Sequence, residues 1–576
     1  MIQYRQSRPL GTDHYPLLSA LLDQTDNNLE YEADGMLLRA SGFSSVQLTG
    51  RRLTLGWGCE PNGALHGRAL RVEIALDQPA VVVTTDRFAT LPICYAEDAG
   101  QAIAIASRAD RVLTEAARAI YPQAIFDYLY FHVIPAPGTV FSGVRRVPPA
   151  TRLSLALGRG AELAPWWHAR FAPMPAAEAE PEGLKQQFLE IVQRSVEREA
   201  QGRYAAFLSG GTDSSTVVGM LCRLHGSARC YSMGFEAEGY DEMAYARCAA
   251  KHFGANHREY YVTPADLATQ IPAVAAHYDQ PFGNSSALPS YVLSRLARSE
   301  GFERLLAGDG GDELFGGNTR YAKQKLFGHY DRLPGAFRHH LLEPLLDSPL
   351  GRLPLARKAA SYSRQARIPL PDRNEGYNLT LRLHPTQIME SGFLAQIDPK
   401  APLLLQQTVW RSAEADDDLN RALAFDWRFT LADNDLPKIL GTAGLAGIEI
   451  GFPLLADELL DFSLNLPIAY KLKGYQLRWF FKEALRGFLP DEILTKKKHG
   501  FGLPFGVWVL KDAALGALAR DALNGFAARG VLRTEFLERL ERDRLPSHPG
   551  YYGEMVWIVM MLELWLRHAA PEWALR

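Results

Sequence analysis

Cysteine is scarce in this chain of 576 residues: Cys59, Cys94, Cys222, Cys230 and Cys248 are odd in number and widely spread. No Cys-x-x-Cys pair and no Cys/His cluster at zinc-ligand spacing occurs, which excludes a disulfide scaffold and predicts a reducing compartment without structural zinc. Charge of one sign is missing too. Lys plus Arg is 62 against 65 for Asp plus Glu, a net charge of −3, so there is no overall basic field to condense on nucleic acid or anionic membrane. Met1 to Gly11 carries polar and charged residues where a secretory signal needs an apolar stretch. The strongest late apolar run, Met555 to Leu562, is too short to span a bilayer and is followed by Glu563. These absences predict a cytoplasmic protein with no nucleic-acid and no membrane partner.

What is present is an ordinary globular balance, 47% hydrophobic and 22% charged residues. At roughly 100 to 200 residues per domain the length calls for more than one core. A run without hydrophobic period, Phe171 to Gly183 (FAPMPAAEAEPEG), reads as a linker between residues 1–170 and 184–576. Before it, Ala80 to Thr85 and Ala102 to Ala106 read as strands of a sheet-rich unit, with one helix near Ala124 to Phe131. After it, Leu184 to Glu199 has helical spacing, Tyr204 to Leu208 is strand-like, Ser214 to Leu224 helical and Cys230 to Gly234 strand-like again. Strand, Gly-rich turn, helix, strand is the unit of a parallel α/β sheet. From about Leu341 onward the chain is mostly helical, with a second, basic break near Ser348 to Glu375.

The first chemically informative stretch is Ser209, Gly210, Gly211, Thr212, Asp213, Ser214, Ser215, set between a strand and a helix. Glycines allow a tight turn that exposes N–H groups, and the helix start adds partial positive charge, so the turn suits a phosphate. An acid inside an anion-binding loop is unfavourable without a cation, so Asp213 points to Mg2+ arriving with phosphates. The stretch is not a Walker loop, which needs Lys after its glycines. Taken alone it is also compatible with a plain Ser/Gly turn.

The second stretch, Gly308, Asp309, Gly310, Gly311, Asp312, Glu313, Leu314, Phe315, Gly316, Gly317, follows an apolar strand at Leu305 to Ala307. Three acids this close repel one another unless solvated or neutralised by a metal or a cation. In a parallel sheet, ligands gather beyond the carboxyl ends of strands, where both stretches lie. Asp213 and Asp312 are therefore expected to share a Mg2+ that bridges phosphates.

SGGTDSS together with GDGGDELFGG resembles the synthetase domain of class B asparagine synthetases. SMGF at Ser232 to Phe235, YDEMAYAR at Tyr240 to Arg247, His257, DQPFGNSSALP at Asp279 to Pro289 and the KKKHGFGLP that closes Arg478 to Pro504 are similar to that family's text. A weaker similarity covers Asp86 to Trp167, through DRFATLPICY and IPAPGTVFSGVRRVPPA. The resemblance implies an α/β architecture: a degenerate glutaminase-like N-terminal α+β domain of the Ntn type, then a parallel-sheet ATP-pyrophosphatase domain with a helical C-terminal part. It also implies a reaction in which a carboxylate attacks the α-phosphate of ATP, and the acyl-adenylate then passes to an amine. Carried over by position, Ser209, Gly210, Gly211, Asp213, Ser214 and Ser215 would hold pyrophosphate. Leu208, Ser232, Met233 and Gly234 would face adenine and ribose, with Gly308 and Asp309 closing the nucleotide site. Asp213 and Asp312 would bind Mg2+. Lys498 matches the family lysine that neutralises developing charge, and Asp309 would accept a proton. Outside this context a Lys triplet such as Lys496 to Lys498 is a solvated face.

The sequence also departs from the family. The glutaminase nucleophile is a cysteine at position 2, which is Ile here, and no cysteine precedes Cys59. The family's Arg-Gly-Pro-Asp segment is absent, and Asn62-Gly63 lacks the downstream text of a glutamine site. Asp309 stands in place of a Glu, Gly451 in place of an Arg and Ala456 in place of an Asp. The expected activity is an AMP- and pyrophosphate-forming amide synthetase for aspartate or a related carboxylate, using ammonia, either free or supplied by a partner, or another amine. Two alternatives remain: a macrolactam-forming cyclase of the lasso-peptide or β-lactam type, whose relatives also lack the cysteine, and a nucleic-acid-modifying enzyme with the same pyrophosphate loop.

Overall fold

Alternating apolar residues build the first unit. In the computed structural model, which describes residues 2–10, 18, 27–33, 35–59, 65–98, 102–112, 118–237, 239–349, 353–496 and 502–575, twelve strands of this unit form two antiparallel six-stranded sheets among the described residues. They are β1 (Ile2–Gln6), β2 (Asn28–Ala33), β3 (Met36–Ser41), β4 (Ser45–Thr49), β5 (Arg52–Cys59), β6 (Leu65–Ala75), β7 (Ala80–Thr85), β8 (Cys94–Asp98), β9 (Ala102–Ala106), β10 (Arg145–Arg146), β11 (Thr151–Ala156) and β12 (Gly160–Pro165). One sheet has the order β10-β8-β9-β1-β3-β2 and the other β12-β11-β7-β6-β5-β4. Tyr4, Leu38 and Ile105 of the first meet Leu55, Val72 and Val83 of the second in one buried core. Period-two burial such as the alternation along β1 is what such a sandwich requires.

The anchor of the second sheet is Asp86, just after β7. Its carboxylate accepts N–H bonds from Phe88 at 2.8 Å, Thr90 at 3.2 Å and Ala69 at 3.2 Å. Burial nevertheless pushes its pKa up to about 6. The DRFATLPICY turn is thus fixed by a buried carboxylate that caps main-chain donors.

Helix α1 (Pro122–Phe131) opens two residues before its expected start, with Pro at its first position, where a missing N–H costs nothing. Its apolar side chains leave the sandwich and join the core of the C-terminal part. There Ile125, Tyr128 and Leu129 pack with Trp557, Ile558 and Met561, and the Tyr128 hydroxyl donates to the Ile558 carbonyl at 2.8 Å.

Helix α2 (Pro181–Glu199) begins three residues before the helical spacing becomes visible at Leu184, again on a proline. Beyond it, β13 (Tyr204–Phe207), α3 (Thr212–His225), β14 (Arg229–Phe235), α4 (Met243–Phe253), β15 (Asn256–Val262), α5 (Ala287–Ser299), β16 (Arg304–Leu306) and β17 (Glu449–Gly451) give a five-stranded sheet of order β15-β14-β13-β16-β17, parallel throughout. The chain builds outward from β13 through β14 to β15, then returns to the other side of β13 with β16. The reversal opens a crevice at the carboxyl ends of β13 and β16, the place where such sheets bind ligands. The fold is the expected pairing of a glutaminase-like sandwich with a pyrophosphatase-type α/β sheet.

The rest is helical. Short α6 (Gly311–Phe315) and α7 (Thr319–Asp331) follow β16, a π-helical run spans Trp427–Asp435, and α8 (Leu436–Ala446) continues it. Last come α9 (Trp479–Ala484) and α10 (Pro549–Ala569). The apolar run at Met555 to Leu562 is the middle of α10 and is buried, and Glu563 beside it pairs with Arg529 at 3.0 Å. Among the described residues no helix is long and apolar enough to cross a membrane.

Candidate active site

The turn after β13 is made by two glycines. Gly210 has φ +69, and a Cβ there would lie 2.4 Å from the Ala246 nitrogen on α4, so the turn and the close approach both require glycine. Ser209 and Ser214 bond across the turn. The Ser209 N–H donates to Ser214 Oγ at 3.0 Å, the two hydroxyls lie 2.9 Å apart, and the Gly211 N–H donates to Ser209 Oγ at 3.3 Å. The hydroxyl of Ser215, fully buried, has no hydrogen-bond partner. The loop thus holds its own shape through Ser209 and Ser214.

Leu208 is buried at the end of β13, and its carbonyl accepts the Ser232 hydroxyl on β14. His257 Nε2 lies 2.6 Å from the same Ser232 oxygen, so a line of hydrogen bonds runs from β15 to β13. Burial lowers the pKa of His257, which keeps the ring neutral. Met233 is half-buried beside Tyr260 in register. At Gly234 an added Cβ would sit 2.6 Å from the Tyr261 ring and 2.7 Å from the Asp241 carboxylate.

The acidic loop after β16 presses on the same turn. A Cβ on Gly308 would stand 2.6 Å from the Ser214 nitrogen, and one on Gly311 would meet the Asp213 carboxylate at 2.0 Å. The glycines of both motifs therefore serve one function, to bring two backbones and two carboxylates together. Asp213 and Asp312 do converge, and the group between them is Arg478, at the start of α9. Its Nη1 donates to Asp213 Oδ2 at 2.8 Å and to Asp312 Oδ1 at 2.7 Å, and its Nη2 bonds Asp213 Oδ1. The guanidinium is nearly buried and stacks 4.0 Å over Phe481.

Two neighbouring carboxylates that lean on one cation can also take a divalent metal. No group of three or more potential metal-ligating side chains occurs among the described residues. Mg2+ is ordinarily held by one or two carboxylates plus substrate phosphates, so Asp213 and Asp312 beside a phosphate-type loop fit it.

Asp309 sits deeper. Its Oδ1 lies 3.7 Å from Lys438 Nζ on α8, which itself bonds Asp435 at 2.9 Å. Burial pushes Asp309 up to about 6, and Lys438 opposes the shift. The ammonium of Lys438 is raised by Asp435 and Asp309 against the effect of burial.

Lys498, the residue expected to stabilise charge, lies outside the described residues. Lys496 of the same triplet is not on a solvated face. Its ammonium is 3.0 Å from Glu242 and 4.4 Å from the Tyr245 ring centre, so part of the triplet clamps this segment to the start of α4.

The carbonyl of Gly451, which stands where the resemblance implies an Arg, accepts the Ala307 N–H at 2.9 Å. A Cβ there would meet Glu199 at 2.6 Å. One residue earlier, Arg68 from β6 bonds the Ile450 carbonyl at 3.1 Å, so a guanidinium reaches this place from the first sheet unit.

The roles of Arg478, Lys438 and Asp435 were not assigned from sequence. Asp435 and Lys438 at i, i+3 look like any helix-surface pair. Arg478 stands in a stretch that resembles the family, but nothing local marks it as a partner of carboxylates 265 and 166 positions away.

Comparison with known proteins agrees with this architecture. The family described as asparagine synthase matches residues 184–567. The chain belongs to the asparagine synthase family. A glutamine amidotransferase domain matches residues 73–167. Among relatives of this chain, the glutamine-hydrolyzing asparagine synthetase 1 of Bacillus subtilis (strain 168) is 22% identical over 483 residues, which cover 83% of this chain and 74% of the relative. Amidase chyE of Penicillium rubens is 22% identical over 438 residues, 64% of this chain and 60% of its own. A solved NMN synthetase from Francisella tularensis shares 14% identity over 27% of this chain and 73% of that one, at a TM-score of 0.18, too low to bear on the fold. As an asparagine synthase family member the protein is an ATP-dependent, amide-forming carbon–nitrogen ligase.

Proposed function

We propose that this chain adenylates a carboxylate with MgATP in the crevice between β13 and β16, and hands the acyl group to ammonia or another amine that its own first domain does not generate. The observation that carries the reading is the convergence of the two loops, with Asp213 and Asp312 gathered on Arg478 at the switch point of the sheet. In the first step a carboxylate oxygen bonds to the α-phosphorus while the bond to the β-phosphate oxygen breaks, and pyrophosphate leaves with that electron pair. Main-chain N–H groups of Gly210 and of Thr212 to Ser214, at the start of α3, and the hydroxyl of Ser215 would receive it. Asp213 and Asp312 would hold Mg2+, which would supply positive charge against the phosphates. In the second step the amine nitrogen bonds to the acyl carbon and AMP departs with the C–O pair. Asp309 is the proton acceptor for the nitrogen, and Lys498 the charge neutraliser, as the family resemblance implies.

The absence of a working glutaminase is supported by the start of β1. Ile2 carries no thiol, is 3% exposed and packs into the sandwich, with its carbonyl accepting the Ser107 N–H at 3.0 Å. Cys59 is the first thiol, and burial raises its pKa, which opposes thiolate formation. Pyrophosphate release from the purified protein, measured with ATP, Mg2+ and aspartate in the presence of ammonium or of glutamine, tests the reading. Product with ammonium and none with glutamine supports it. Glutamate formed from glutamine would overturn the statement about the first domain, and no pyrophosphate with aspartate directs attention to another acid or to ring closure.

A further inference from the structure

A cavity of about 190 Å3 lies beside the catalytic crevice, where the end of α1 meets the π-helical run Trp427–Asp435. It is several times the roughly 30 Å3 share of one water molecule, far more than ammonia needs. The π-helical run serves both places. It contributes Phe429 and Asn434 to the cavity, and its last residue, Asp435, holds the Lys438 that faces Asp309. The Asn434 side chain is fixed at this junction by Asn284, whose Nδ2 donates to it at 2.8 Å.

One wall is aromatic. Phe131 and Phe429 stack with centres 5.5 Å apart and planes 9° from parallel, and Phe425 leans on Phe429 at 4.7 Å. The opposite wall has acceptors and no available cation. Glu375 accepts the Tyr130 hydroxyl and a side-chain hydrogen bond from Gln406, burial raises its pKa, and among the described residues no Lys or Arg pairs with it. Gln406 is 6% exposed, and its Oε1 has no hydrogen-bond partner. Arg320 is the one cation on the wall, and it is taken by Asp426 and by Thr430.

A carboxylate without a counter-cation, a buried amide oxygen without a hydrogen-bond partner and an aromatic face are together the environment that favours an ammonium group attached to an apolar body. The same wall repels a carboxylate, since no free cation would receive it. We propose that this cavity binds an organic primary amine with a planar apolar body, and that this amine is the acyl acceptor. The assignment as acceptor rests on the ligase reading given above; the binding itself does not.

The test uses the full-length protein and calorimetric titration with 2-phenylethylamine, 3-phenylpropionate and ammonium chloride. The amine is expected to bind at least tenfold more tightly than the acid or ammonium. Glu375→Gln should weaken the amine at least tenfold and leave the acid unchanged, and Gln406→Leu should weaken it severalfold. Should Glu375→Gln fail to fold for loss of the Tyr130 bond, the Gln406→Leu titration decides. Acid binding as tight as amine binding, amine binding insensitive to the substitutions, or no binding of the amine would each overturn the proposal. Amine binding in a protein that releases no pyrophosphate with any acid would leave the site standing and remove the ligase reading instead.

Discussion

The guanidinium of Arg478 bridges the carboxylates of Asp213 and Asp312, which reach it from two different loops of the sheet. Removing a buried cation from between two carboxylates leaves like charges facing each other, at a cost of about 3 kcal/mol or more. Arg478→Met is therefore expected to lower the melting temperature by several degrees. Millimolar Mg2+ should recover part of that loss, because a divalent cation replaces the missing charge, whereas it should do little for the parent protein. Thermal melts of both proteins with and without Mg2+ check this, and an equal Mg2+ effect on both would remove Asp213 and Asp312 as metal ligands. Asp213→Ala or Asp312→Ala should abolish Mg2+-dependent pyrophosphate release.

Asp309 ties rate and stability to pH. Its pKa of about 6 in the folded protein predicts that turnover falls below pH 6, where the proton acceptor becomes protonated. Its folded pKa lies above its unfolded value, so the folded state takes up the proton first. Its contribution to stability is full below pH 4 and is lost as pH rises through 6. Asp309→Asn should accordingly remove the acidic limb along with most of the activity, and raise stability near neutral pH by about 2 kcal/mol. A pH–rate profile and a urea titration at two pH values read both effects.

Lys498 offers a kinetic split. Lys498→Ala is expected to cost on the order of a hundredfold in turnover if the side chain stabilises charge in the transition state, while ATP affinity changes little. Binding and single-turnover measurements separate the two, and a loss confined to ATP affinity would make it a positioning residue.

Lys471 is a buried amine outside the site. It is fully buried, with Nζ donating to Asn420 at 2.8 Å and lying 4.8 Å from the centre of Phe171. Burial lowers its pKa from 10.5 to about 7. The unfolded chain therefore holds the proton more readily. The contribution to stability is full above pH 10.5, declines as pH falls towards 7 and is level below that. Lys471→Met should stabilise the protein at pH 7 by a few kcal/mol, less about 1 for the bond to Asn420, and flatten the rise in stability between pH 7 and 10. An unchanged slope would show that this lysine stays charged in the fold.

Much of the site was legible because its chemistry is local. Ser209 to Ser215 and Gly308 to Gly317 announce themselves by glycines and acids placed directly after short apolar strands, a pattern that has few other uses. Strands β7 and β9 have their expected bounds, since their apolar runs end at turn residues. Helix α2 opened earlier than its periodicity suggested because Pro181 starts a turn before any side chain enters the core. The cations were illegible for a different reason. Lys438 and Arg478 obtain their meaning from carboxylates brought to them by the sheet, and nothing within a helical turn of either residue records that encounter. The destination of α1 was hidden in the same way: its sequence states that it is an apolar helix and is silent on which core receives it.

Tyr128 and Ile558, joined by one hydrogen bond, are 430 positions apart in the chain. At a synthesis rate of about 5 to 20 residues per second, α1 leaves the ribosome roughly 20 to 90 seconds before the strip of α10 that covers it. The sandwich strands can close in that interval, and Gly283 and Thr380 can reach α1 sooner, but the part of its apolar face that meets α10 waits for that last strip. The order of manufacture thus leaves this face of the helix in need of a temporary cover until α10 is made.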